Sequence, residues 1–260
     1  MVARLPAAGL RVKREIELRK DEAVVSFAET VTNERKCDHF FQWAQHVTLG
    51  PTFLSPDVSS IAVPGDRALT YPHGYDEGRA LLSSNEEFRW PDAPLLEGGT
   101  ADLTSPFIAP GRGFVVAVLL TKEREIGFVA AVNRQLGLLI AYCFRRSDFP
   151  WVAIWEENLA TAAPPWKQRT RARGLEFSTT PLPISRRDAF LSRQLFDEPT
   201  LTYVPALGTK TVRYVALLTE VPDDFCQVRD ISLHATEVRI LGNAGAPVVV
   251  RGAALGRLLR

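Results

Sequence analysis

Two ionisable side chains stand out for where they sit. His46 is one of four histidines in the chain. It lies in FFQWAQHVTLGPTFLSP (40–56), after an aromatic run and just before a Gly-Pro turn. Glu176 lies in RARGLEFSTTPLP (171–183), between Leu175 and Phe177 on an apolar stretch that runs into a Pro-rich turn. An imidazole changes charge near neutral pH and can give or take a proton. A carboxylate flanked by large apolar residues is costly to bury unless it is paired or put to use. Each also has an ordinary reading, His46 as a half-buried core residue and Glu176 as the solvent-facing member of an alternating strand.

Other chemistries find little support. The chain has no Walker loop, dinucleotide fingerprint, G-x-S-x-G or H-E-x-x-H. His39 and His46 are seven positions apart, a spacing that suits neither one face of a helix nor alternate positions of one strand, so no metal site is expected. His39 and His234 read as structural, and His73, in YPHGYDEG, as a loop residue that is either solvated or at the border of a cleft. The three cysteines, Cys37, Cys143 and Cys226, are odd in number and far apart, as in a reduced, cytoplasmic protein. Lys plus Arg is 31 against 30 for Asp plus Glu, a net charge of +1, which gives no case for nucleic acid or an anionic membrane as partner. The one basic cluster, WKQRTRARG (166–174), reads as a solvated loop or strand edge. Neither a signal-peptide core nor an apolar run of membrane-spanning length is present.

The elements that must position these groups are strands. REIELRKDEAVVSFAETVTN (14–33) alternates on both sides of Lys20-Asp21-Glu22, which predicts a hairpin. Further strands are expected at 114–121, 126–132, 136–144, 151–156, 211–219, 231–240 and 246–251, all short, rich in Val, Ile, Phe and Leu, and separated by turn residues. Eighteen prolines and seventeen glycines suit a loop-rich β-protein. The pattern predicts an all-β chain, an antiparallel β-sandwich forming a single domain over 1–260. Segment 186–197 is the one helix candidate. The stretch 50–113 reads as a long connection following His46, where a binding loop would be useful.

Taken in order, several segments resemble the aldose 1-epimerase (galactose mutarotase) superfamily. VKREIEL with VVSFAETVTN resembles a strand pair of that family, HFFQWAQH its histidine-bearing strand, WVAIWEEN (151–158) a later cleft strand, and ARGLEFSTTP its glutamate strand. The resemblance covers roughly residues 10–240, and the separation of His46 and Glu176, 130 residues (176 − 46), is close to the family's spacing. It is nearest to the mutarotase-like branch in which QHVTLGPTFL and EFSTTP have counterparts. It implies the family's supersandwich, sugar as ligand, and no cofactor. By position, His46 would protonate the ring oxygen as general acid and Glu176 would take the proton of the anomeric hydroxyl as general base. Such chemistry needs proton transfer alone. An ordinary glutamate, with a pKa of about 4.3, is ionised at neutral pH. Trp155, Glu156 and Asn158 fall where the family lines its sugar cleft, with core packing the other reading of Trp155.

The chain also departs from the family. It begins where the family's second half does, without the early strands or the further histidine and arginine that grip the sugar. The expectation is therefore an N-terminally shortened supersandwich, with exposed sheet edges that imply either a homo-oligomer or marginal stability of the chain alone. The function implied is interconversion of the anomers of a monosaccharide or sugar derivative. The alternative is a non-catalytic carbohydrate-binding β-sandwich.

Overall fold

The computed structural model describes residues 1–76, 78–253 and 255–258. Two large antiparallel sheets dominate. The seven-stranded sheet runs, in spatial order, Val2–Leu5, Leu10–Leu18, Val24–Asn33, Thr209–Glu220, Leu138–Arg145, Ile126–Asn133 and Ser59–Ala62. The six-stranded sheet runs Ala44–Leu49, Arg171–Ser178, Trp151–Asn158, Arg112–Leu120, Gly65–Thr70 and Glu87–Arg89. Their facing sides share one core, to which Val129, Phe144 and Tyr214 contribute from the first sheet and Phe114, Ile154, Leu175 and Phe177 from the second. This is the expected sandwich.

Most strands follow the sequence pattern. The 14–33 hairpin forms, with Leu10–Leu18 paired to Val24–Asn33 and Asp21 taking the left-handed conformation (φ 62°) that the tight turn requires. Arg112–Leu120 is apolar almost throughout because both of its faces are covered. Phe114, Val116 and Val118 enter the main core, whereas Ala117 and Leu119 meet Leu182 and Phe196 of the segment crossing the outer face. A three-stranded sheet, Val228–Leu233, Glu237–Gly242 and Val248–Arg251, packs on the outer face of the seven-stranded sheet through Phe225, Ile231 and Ile240.

Several expectations are corrected. The 231–240 stretch is two strands, and His234 sits in the turn between them with its N–H donating to Glu237 O at 2.8 Å. The helix covers only Arg186–Ser192, capped by the Ser185 side chain, and ends where Arg193 turns left-handed (φ 56°). The 50–113 stretch is not a bare connection, since five strands, Ser59–Ala62 the first of them, form within it. Among the described residues, no helix is long and apolar enough to cross a membrane.

The basic cluster holds the sharpest surprise. Arg173 is fully buried and paired with Glu156, which is also buried. Its guanidinium donates to Leu103 O at 2.6 Å and Ser105 O at 3.1 Å, while the Glu156 carboxylate also accepts from the Phe107 N–H at 2.9 Å. The pair therefore stitches two neighbouring strands to the 103–107 segment. Removing one partner of such a pair leaves an uncompensated buried charge. We predict that Glu156→Gln lowers unfolding free energy by about 3–5 kcal/mol, whereas Glu156→Leu combined with Arg173→Met loses much less. Urea denaturation of the two variants measures the difference.

Candidate functional site

The site follows from one register. Ala44–Leu49 pairs antiparallel with Arg171–Ser178 so that His46 lies directly opposite Glu176. Opposed residues share a face, so both side chains leave the sheet on its outer side. His46 Nε2 meets Glu176 Oε1 at 3.1 Å. The imidazole is the more exposed partner, at 57% against 17% for the carboxylate side chain. His46 Nδ1 and Thr48 Oγ1, two residues along the same strand and hence on the same face, are 2.9 Å apart. Both imidazole nitrogens are thus engaged, which holds the ring in one orientation.

Burial raises the Glu176 pKa above the usual carboxylate range, and the neighbouring His46 pulls it part of the way back. Gly174, next on the same face, leaves room for this carboxylate, since a Cβ there would lie 2.7 Å from Glu176 Oε1.

A hollow of about 420 Å³ opens beside the pair. The two groups touch, and the hollow lies alongside them rather than between them. Trp155 forms its floor, 6.0 Å from the His46 ring in an edge-on arrangement, and Trp166 leans against Trp155 at 5.4 Å with 55° between the rings. Tyr75 closes another side. Its hydroxyl accepts from Trp155 Nε1 at 3.0 Å and donates to Glu157 Oε2 at 2.8 Å. The Tyr75 ring lies on Gly113, where a Cβ would sit 2.2 Å from Tyr75 Cε1, so any other residue there would displace the tyrosine.

Glu157 is fully buried and serves as an anchor. It accepts from the Ala160 and Thr161 N–H groups at 2.5 and 3.0 Å and from the Thr161 hydroxyl at 2.6 Å, besides the Tyr75 hydroxyl. Burial and this carboxylate together push the Tyr75 pKa well up, so the phenol stays protonated.

Three of the residues expected to line a sugar cleft lie elsewhere. Glu156 and Asn158 alternate with Trp155 along their strand and point into the sandwich, Glu156 onto Arg173. Asn158 is fully buried there, with neither amide atom hydrogen-bonded. His73 is exposed and packs edge-on against Tyr71 at 5.4 Å, outside the lining. Thr48, Tyr75 and Trp166 take their places. Among the described residues no three His, Cys, Asp or Glu side chains are grouped to hold a metal ion.

No protein-family model and no curated protein matches the sequence. Solved structures do match the fold. A candidate aldose 1-epimerase from Klebsiella pneumoniae superposes with a TM-score of 0.59 at 12% identity, over 84% of this chain and 49% of that one. The chain has the galactose mutarotase-like fold. A galactose mutarotase related enzyme from Lactobacillus acidophilus aligns with a TM-score of 0.52 at 12% identity, over 82% of this chain and 64% of that one. For a galactose mutarotase-like protein from Clostridium acetobutylicum the values are 0.50, 10%, 82% and 63%. The chain thus spans between 49% and 64% of the length of these mutarotase-like structures.

The raised pKa of Glu176 has a consequence for stability. A carboxyl group that holds its proton more tightly when folded favours folding below its unfolded pKa, and that contribution is lost as pH rises through its folded pKa. At neutral pH the ionised, poorly solvated form is therefore a burden. Glu176→Gln should raise the thermal midpoint at pH 7, with the gap to wild type closing as pH falls through the folded pKa. A variant less stable than wild type at pH 7 would contradict this account.

Proposed function

We propose that the chain interconverts the anomers of a free sugar, with Glu176 as general base and His46 as general acid. The observation that carries this reading is the 3.1 Å contact between the two groups at the edge of an aromatic-floored hollow. The contact suits the chemistry of a cyclic hemiacetal, whose hydroxyl and ring oxygen are borne on the same carbon. An acid and a base that are to reach both oxygens at once must stand side by side. A pair separated by a whole pyranose ring could not do so.

In the opening step Glu176 takes the proton of the anomeric hydroxyl and the imidazolium of His46 gives one to the ring oxygen. The bond between the anomeric carbon and the ring oxygen breaks, and a carbonyl forms in its place. Rotation about the adjacent carbon–carbon bond presents the other carbonyl face. Closure then returns each proton to the group it came from, so the step balances without cofactor. The Nδ1 contact with Thr48 keeps Nε2 aimed at the reacting edge. Trp155 offers the broad apolar surface on which a pyranose face rests. The names borne by the structurally similar proteins favour the same reading.

General acid–base catalysis contributes about 10²–10⁴-fold. Exchange NMR between anomers should therefore show Glu176→Gln and His46→Gln slower by that order, with sugar binding, read from tryptophan fluorescence, retained. Wild type and Glu176→Gln exchanging at the same slow rate while binding equally would leave a binding protein without catalysis. In wild type the rate should fall on the acid side through a pKa above that of an ordinary glutamate, because burial raises the Glu176 pKa and only its ionised form accepts the proton.

A further inference from the structure

The hollow is polar along one rim only. His46, Glu176 and Thr48 stand on the two strands at one side, and across the Trp155 floor the far side is formed by Val115, on the strand beyond Trp155, and by Trp166, with small apolar neighbours. The polar atoms near the wall are already committed. Trp155 Nε1 donates to the Tyr75 hydroxyl, whose own proton goes to Glu157, and the Thr48 hydroxyl faces His46 Nδ1. Among the described lining residues there is no arginine or lysine.

These facts restrict what the site can hold. A hydroxyl pressed against the apolar wall would give up water and find no partner, a loss that a buried polar group does not recover. A phosphate or carboxylate there would meet no opposite charge, and the one fixed ionic group at the rim, besides His46, is itself an anion. A methyl group or a bare ring edge suffers neither penalty. The volume of about 420 Å³ admits one small ring with its substituents.

We infer that the ligand is an uncharged 6-deoxy sugar. Its hydroxylated anomeric edge meets His46 and Glu176, and its methyl-bearing edge packs against Trp166 and Val115. The inference rests on the anomer reading for the orientation of the ring, but not for the selectivity, which follows from the wall alone.

Matched trios test it: glucose, 6-deoxyglucose and glucose 6-phosphate, with the corresponding galactose and L-mannose sets. Binding is read by tryptophan fluorescence and saturation-transfer NMR, and anomer exchange is recorded in the same samples. In at least one set the deoxy member should bind about tenfold tighter than its parent, with no measurable binding of the phosphate. Trp166→Ala should erase most of that preference. A parent or phosphorylated sugar that binds as tightly as the deoxy form overturns the inference, and if it also exchanges anomers faster than buffer the acid–base reading stands. Selective binding of deoxy sugars without faster exchange sinks the catalytic reading and keeps the inference. Binding of no sugar removes both.

Discussion

The candidate site depends on the alignment of one edge strand. Ala44–Leu49 has a single neighbour in its sheet, and its register on Arg171–Ser178 decides whether His46 meets Glu176 or faces the core. A slip of one residue would send the imidazole inward and Gln45 out. Two sets of bonds prevent it. At the strand's start, Trp43 and Thr179 exchange bonds, the Trp43 N–H donating to the Thr179 hydroxyl at 2.9 Å and the Thr179 N–H to Trp43 O at 2.8 Å. On the inner face, Gln45 donates to the buried Glu29 carboxylate at 2.7 Å, and Glu29 also accepts from Arg14 Nε at 2.5 Å and the Tyr214 hydroxyl at 2.8 Å. A polar cluster between the sheets thus fixes a proton-transfer pair on the opposite side of the strand.

The two faces of the six-stranded sheet treat charge in different ways. Inside, Glu156 is held by Arg173 and by the Phe107 N–H, which both bond its Oε2. Outside, Glu176 is largely buried beside His46, and its carboxyl is left reluctant to ionise. The first arrangement makes a carboxylate inert. The second leaves a carboxyl group that holds its proton more tightly than an ordinary glutamate does, the property expected of a base rather than a strut.

Much of this was legible in the sequence, and the failures are instructive. The alternating hairpin at 14–33 and the apolar runs at 114–121 and 126–132 reported strands because their side chains answer to two well-defined faces. His46 and Glu176 stood out because each interrupts an apolar neighbourhood. Glu156 and Asn158 were misplaced although the rule that places them was in view, for residues an odd number of positions from Trp155 leave the strand on its other face. Applied strictly, alternation selects Glu157. Tyr75 and Trp166 were hidden for a different reason. They reach the hollow from irregular segments, where no period links position in the chain to direction in space. The burial of Arg173 was masked by its company, since a run of basic residues looks solvated until the strand sorts its members onto opposite sides.

Glu157 never reaches the hollow, yet it shapes two of its walls. Its carboxylate grips the Tyr75 hydroxyl on one side and the Ala160–Thr161 backbone, leading to Trp166, on the other. The tyrosine and the second tryptophan are consequently tethered to a common buried point on the outer face of the sheet. A descendant of this chain could widen, narrow or re-angle its aromatic enclosure by altering that hidden anchorage. Ligand preference could then drift while every residue in contact with the ligand stayed the same.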